Sequence, residues 1–406
     1  MSTTAQQAIA HKKLEQQKAS WLNWPLLISL IILAANMRAP ITGVGSLIGD
    51  IKGDLSISNG LAGVITAMPL IAFALLSPFA PKLSQRFGLE RVLALSALTI
   101  TVGIIVRSLG GVFLLMLGTI LFGMAIAVCN VLLPSLVKTA FPSQLGLVTG
   151  FYTVAMNLCG ALASGVSVPL AHSIGLGWRG SLMIWAVLAG TATILWLLRS
   201  KEAAGAQAGI SAMKKGKSLW RNKLAWSITL YMGLQSMVFY VIAAWLPEIL
   251  QERGIGAEQA GWMLSFMQFA IMPVTFIVPI IAGKLKDQRG IVGIIFVLLL
   301  GGLIGLIYGS NTIASFSTII LGIGSGAAFS LAMMFFTLRS NHVQEAAELS
   351  GMAQSVGYML AALGPIAFGV LHDITHSWTT PLYTLIVVIV FILSFGLIAA
   401  KNRTVQ

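Results

Sequence analysis

Twelve stretches of this chain are each apolar for long enough to cross a lipid bilayer, and that constrains the fold more than any other feature. A span needs about 17–25 predominantly apolar helical residues. Such runs lie near 24–47, 59–80, 91–109, 112–137, 147–171 and 178–198, and again near 225–249, 259–282, 290–309, 311–337, 349–371 and 379–400. Only 9% of residues are charged and 57% are hydrophobic, against about 25% and 45–50% in soluble domains. So few charges cannot cover a soluble protein of 406 residues, so its hydrophobic surface must meet lipid. The expected fold is an all-α polytopic membrane protein of twelve transmembrane helices.

Between the sixth and seventh runs, Arg199–Lys223 holds five lysines and two arginines among Ala and Gly. That composition marks a linker. It divides the chain into a tail at 1–23, a six-helix bundle at 24–198, a linker at 199–224, a second bundle at 225–400 and a tail at 401–406. With the N-terminus inside, 20 of the 25 basic residues fall on the cytoplasmic side. Lys52, Arg107, Arg179 and Arg253 fall on the other face, and Arg38 is buried. This asymmetry places both termini and the linker in the cytoplasm. The net charge of +13 is no nucleic-acid footprint, because the basic residues form short blocks between apolar runs. The polar first twenty residues give no sign of a cleavable signal.

Arg38 stands out within the first run, 14 residues after Trp24 and 12 before Asp50. At the rise of a helix it is about 21 Å and about 18 Å from those ends. A guanidinium at that depth costs at least about 2.5–3.5 kcal/mol unless it faces a polar cavity, a partner or a substrate. Pro40 leaves the carbonyl of Asn36 without its helical donor, and Thr42 shares the face of Arg38. Asn36, Arg38 and Thr42 are therefore candidate ligand contacts on a bent helix. Asn130 before Pro134 repeats the device in the fourth run.

Further polar residues fall inside spans at helical spacing. Gln235 pairs with Phe239 and Ser236 with Tyr240 in the seventh, Gln354 with Tyr358 in the eleventh, and Thr153 with Asn157 in the fifth; Gln268 is mid-way along the eighth. An uncharged amide in a membrane is either interhelical glue, worth about 0.6 kcal/mol, or a substrate contact. Together with Arg38, Asn130, Asn157, Gln235, Phe239, Tyr240, Gln268, Gln354 and Tyr358 describe a polar cavity walled by aromatics. Tyr152 and Trp245, near span ends, are cavity caps or interfacial anchors. Gly146–Gly150 and Gly322–Gly326 are spaced for close helix packing.

The halves echo each other. Pro81-Lys82-Leu83-Ser84-Gln85-Arg86-Phe87-Gly88 follows the second run, and Gly283-Lys284-Leu285-Lys286-Asp287-Gln288-Arg289-Gly290 the eighth. Both read as tight basic turns. A parallel six-span repeat resembles the major facilitator transporters, whose loop motif the second copy fits through Gly283, Asp287 and Gly290. The first copy departs from it at Pro81 and Gln85.

Several segments resemble, more narrowly, the cyanate and 2-nitroimidazole transporter family of bacterial major facilitators. They are Asn36-Met37-Arg38-Ala39-Pro40-Ile41-Thr42-Gly43-Val44-Gly45, Asn130–Lys138, Gln235-Ser236 with Phe239-Tyr240 and Trp245-Leu246-Pro247, and Met352–Tyr358 with Gly364-Pro365 and Leu371-His372-Asp373. The resemblance implies an inner-membrane secondary transporter that moves a small solute, a small anion such as cyanate or a small polar heterocycle, by alternating access. An efflux carrier for a toxic small aromatic is the alternative, and a non-transporting membrane sensor a further one.

No Asp or Glu sits at mid-span, so the coupling ion is open; Asp50, Glu248 and Asp373 lie near outer ends. The histidines fall at ends and loops and read as solvated. Cys129 and Cys159 lie in apolar runs and read as small buried residues. No metal-ligand spacing is present. The expectation is a non-enzyme, without cofactor or metal, whose partners are a small-molecule substrate and the bilayer, acting as a monomer.

Overall fold

The computed structural model describes residues 24–141, 144–202, 219–341 and 343–405. The N-terminal tail, most of the linker and His342 lie outside the described residues. Twelve spans are present among them, built as follows.

The first span is two helices, α1 (Trp24–Ala35) and α2 (Ala39–Ser46), continued by a short α3 (Ile48–Leu55). The second joins α4 (Asn59–Leu76) to α5 (Ala80–Phe87) through a 3-10 turn. Then come α6 (Leu89–Ser108), α7 (Gly111–Ala140), α8 (Leu145–His172) and the sixth span, α9 (Gly177–Met183) with α10 (Trp185–Glu202). The second half consists of α11 (Lys223–Glu252), α12 (Ala257–Lys284), α13 (Arg289–Tyr308), α14 (Asn311–Leu338), α15 (Val343–Thr375) and α16 (Thr379–Ala399).

Burial sorts the helices into layers. The seventh span is 83% buried over its most apolar window, and the first and tenth are 67% buried, against 33% for the sixth, eighth, ninth and twelfth. The first, seventh and tenth therefore line the centre, and the last four present apolar faces outward. Across the halves, α4 packs on α15, α8 on α12, and α2 on α11. Glycines set the first and the last of those crossings. A Cβ on Gly45 would lie 2.1 Å from the Ala243 carbonyl oxygen, and one on Gly63 would lie 2.4 Å from that of Pro365. Such small residues let backbones approach where lipid supplies no hydrophobic drive between helices. Gly322 and Gly326 press in the same way on Met267 and Ile271 of α12. Gly150 meets the Phe276 ring, and Gly146 lies one turn before it on α8.

Four sequence readings change. Pro40 borders a break, at Asn36–Arg38, whereas Pro134, at the same spacing from Asn130, lies inside a continuous helix, as does Pro365. The two basic repeats are not alike, since the first folds as α5 whereas the second is a turn in which the Asp287 carboxylate accepts from the Arg289 backbone N–H at 2.8 Å. Pro81 suits the first turn of a helix, and Gln85 replaces the capping acid. Trp245 is no interfacial anchor; it is fully buried and its Nε1–H donates to the Pro365 carbonyl at 3.0 Å. Arg107, expected on the outer surface, is fully buried. Its long side chain turns inward from the last turn of α6, so its place along the chain gave no sign of its depth.

Candidate functional site

A narrow cavity, with about 40 Å³ of open space, lies between the halves. The break in the first span positions its one charged lining residue. The backbone leaves the helix at Asn36–Arg38 and re-enters it with Pro40 in the first turn of α2. Irregular backbone is tolerated at membrane depth only where protein or a cavity covers it. The Arg38 guanidinium donates through Nη1 to Asn157 Oδ1 at 2.5 Å, and its carbon stands 4.6 Å from the Phe239 ring centroid. One partner belongs to the first half and the other to the second.

Around Arg38 the wall is Thr153, Met156 and Asn157 of α8, and Gln235, Ser236, Phe239 and Tyr240 of α11. Ile271 and Thr275 of α12, Ser325, Gly326 and Phe329 of α14, and Tyr358 of α15 complete it. Phe239 meets Tyr240 edge-on at 5.1 Å, and Tyr240 meets Tyr358 at 6.5 Å. The Gln235 amide donates to Ser236 Oγ at 2.8 Å. Among the described residues the cavity thus combines one cation, neutral polar groups and aromatic rings, with no carboxylate in its lining.

Among the sequence candidates, the structure gathers Arg38, Asn157, Gln235, Phe239, Tyr240 and Tyr358 on this wall. The others lie elsewhere. The Asn36 amide donates to the Ile32 carbonyl at 2.8 Å, and Thr42 Oγ1 donates to the Gly160 carbonyl at 2.8 Å. The Gln354 amide donates to Ser350 Oγ at 2.8 Å, and Asn130 is half-buried on α7, outside the lining. Gln268 stands behind the wall: its Nε2 donates to Ser164 Oγ at 2.5 Å, while its buried Oε1 has no partner among the described residues. A Cβ on Gly160 would meet both Arg38 Cγ at 3.0 Å and Gln268 Oε1 at 3.1 Å, so this glycine brings the two side by side. Sequence reasoning missed Thr275 and Ser325. Thr275 lies two turns beyond Gln268, and Ser325 is inside the glycine pair read only as packing.

The halves are pinned at the end opposite the linker. Lys52 Nζ reaches Glu248 Oε2 and Asn59 Oδ1, each at 2.6 Å. The Asp373 carboxylate accepts from Asn59 Nδ2 and from the Gly60 backbone N–H, both at 2.7 Å, at the start of α4. A carboxylate there also complements the helix dipole. His372, expected to be solvated, lies with its Nδ1 3.1 Å from Asn59 Nδ2 and its ring tilted against Trp378 at 4.1 Å. Asp50 faces His172 at 3.0 Å. At the loop motif, the Asp287 carboxyl is held below the usual carboxylate range by hydrogen bonds from the Arg289 side chain and backbone. Gly283 closes α12 and Gly290 opens α13 beside it, at the linker end.

Comparison with known proteins accords with this architecture. The Major Facilitator Superfamily profile matches residues 26–365. An uncharacterised transporter of Bacillus subtilis is 46% identical over 93% of this chain and 94% of its own length. The 2-nitroimidazole transporter of Escherichia coli is 37% identical over 94% and 96%, and the cyanate transport protein of the same species 27% over 87% and 91%. Among solved structures, a nucleoside transporter superposes with a TM-score of 0.74 at 13% identity, covering 92% of this chain and 99% of that one; at that identity the likeness is one of fold. Twelve spans in two bundles around a central cavity, matched along nearly the whole chain, make this a secondary transporter of small solutes that belongs to the Major Facilitator Superfamily, in the company of the cyanate and 2-nitroimidazole transporters.

Proposed function

We propose that the chain carries a small planar solute, an anion such as cyanate or a polar heterocycle such as a nitroimidazole, across the bacterial inner membrane by alternating access. The observation that carries this reading is that Arg38 is the one charged residue lining the cavity among the described residues and faces Phe239 of the other half at 4.6 Å. A guanidinium offers planar, paired donors to carboxylate-like or nitro oxygens, and the flanking rings offer faces against which a flat solute stacks. Asn157, Gln235, Tyr240 and Tyr358 supply neutral hydrogen-bonding groups around it. The names of the 37% and 27% identical relatives support the same class.

In this reading the bundles are 24–198 and 225–400, joined by a cytoplasmic linker at 199–224, with both termini inside and the monomer as the working unit. The basic-residue asymmetry supports that orientation. The closed end is then the outer one, sealed by Lys52–Glu248 and by Asp373 on α4. Opening it requires those contacts to separate while the linker end closes. The test is thermal stabilisation of purified protein by cyanate, nitrite, 2-nitroimidazole and 4-hydroxybenzoate, since a ligand that binds the folded state raises Tm by mass action. Stabilisation by at least one that disappears in Arg38→Gln is expected. Equal stabilisation of both proteins removes Arg38 from the site.

A further inference from the structure

We propose that Arg107 is a positioning residue: it clamps the restart of the broken first span and thereby sets the direction of Arg38. Its Nη1 donates to the Pro40 carbonyl at 2.6 Å, two residues from Arg38. Its guanidinium carbon stands 4.9 Å from the Phe122 ring centroid. The residue is fully buried, and its Nε and Nη2 have no partner among the described residues. A buried guanidinium with one carbonyl and one ring is poorly compensated, because desolvating a cation costs more than a ring face returns. Core packing alone would be better served by Leu or Met.

What the guanidinium supplies that an apolar side chain cannot is a directed bond to one carbonyl. The bond falls in the first turn of α2, whose N-terminus no side chain caps among the described residues, and it ties that turn to α6 through a carbonyl. On its other flank α2 is held by Thr42 Oγ1 on the Gly160 carbonyl and by Ser46 Oγ on that of Ser164, at 2.8 and 2.7 Å. Arg107 closes the opposite flank from α6. The packing is arranged to let it in: a Cβ on Gly118 would lie 2.3 Å from the Arg107 backbone nitrogen, so α7 approaches α6 only through glycine there. Arg38 projects two residues before Pro40, so its direction follows from where these holds fix the start of α2.

The functional part of the proposal rests on Arg38 contacting solute; the clamp does not. Hydrogen–deuterium exchange on the full chain in nanodiscs separates the two. Arg107→Met should speed exchange across residues 36–44 about tenfold and leave α7 and α8 unchanged, with Arg107→Lys in between, because an ammonium still reaches one carbonyl. In proteoliposomes the same variants should raise the KM for 2-nitroimidazole in that order, at constant turnover per inserted protein. Unchanged exchange at 36–44 would overturn the clamp, as would equal loosening of α7 and α8. If the clamp passes and Arg38→Gln transports normally, the solute role of Arg38 falls and Arg107 remains a fold-specific hold on the break.

Discussion

The guanidinium of Arg38 and the ring of Phe239 meet across the two halves, 4.6 Å from carbon to centroid, and no other cation lines the cavity among the described residues. The contact joins the broken first span to the most buried helix of the second half. In the proposed role of Arg38, a solute bound there would lie beside groups of both halves, which is what coupling of binding to alternating access requires. Removing the ring while keeping the volume, Phe239→Leu, forfeits about 1 kcal/mol of cation–π attraction. The apparent KM should rise roughly fivefold, with Phe239→Tyr close to the parent. Arg38→Lys should keep part of the binding and Arg38→Ala none, since an ammonium lacks the planar paired donors. Uptake kinetics in proteoliposomes read all four.

Lys52 and Glu248 form an ion pair across the closed end, with side chains 20% and 12% exposed. A partly exposed pair is worth about 0.2–1 kcal/mol, so Lys52→Met should shift the equilibrium toward the open outer end by roughly twofold to fivefold. The charge-swapped Lys52→Glu/Glu248→Lys protein should return toward the parent. Distances between spin labels on α3 and α11 report the populations; identical distributions in all three proteins would show that the pair does not hold the end closed.

Gly45 lies against the Ala243 carbonyl, whereas a Cβ on Gly53 would meet nothing within 4 Å. Gly45→Ala should therefore force α2 from α11 and destabilise by about 1–3 kcal/mol, the usual penalty of overpacking. Gly53→Ala, inside the helical α3, should be neutral or slightly stabilising. Thermal unfolding in one detergent compares them directly.

Asp287 is a carboxylate depressed by the Arg289 side chain. A group whose folded pKa is lowered adds stability above its unfolded value, about 3.9 for Asp, and loses it as pH falls through the folded value. Between pH 7 and 5 the protein should show no acid loss from this group. Below about pH 4 the parent should lose stability that Asp287→Asn does not, a small difference because the loop is exposed. Tm against pH for the two proteins checks the sign.

The orientation makes its own demand. A single cysteine at Lys214 or Lys217, in protein whose Cys129 and Cys159 have been replaced, should resist an impermeant maleimide in intact cells and react in inverted vesicles. Labelling from outside would reverse the topology.

The twelve spans were legible because length and hydropathy are local properties of a sequence, and the bilayer reads them one segment at a time. The loop repeat and the segments around Arg38 and Tyr358 carried the family for the same reason: they are contiguous. Arg38 itself was legible because a lone cation deep in an apolar run has few tolerable surroundings. The faces were not. Spacing puts Gln235 and Phe239 on one stripe, yet it does not say which way that stripe points, so Gln354 bonds Ser350 on its own helix while Tyr358, one turn on, lines the cavity. Arg107 lies at the end of its run and reads as a surface cation, yet in the fold it reaches Pro40. Asp373 and Asn59 are 314 residues apart and meet because α4 and α15 cross at Gly63. The sequence by itself determined how many helices cross the membrane and where a charge must be sheltered. The rotation of each helix about its axis, and with it which side chains meet, was decided only by tertiary packing, because backbone approach at Gly45, Gly63 and Gly118 fixes helix faces that no local pattern encodes.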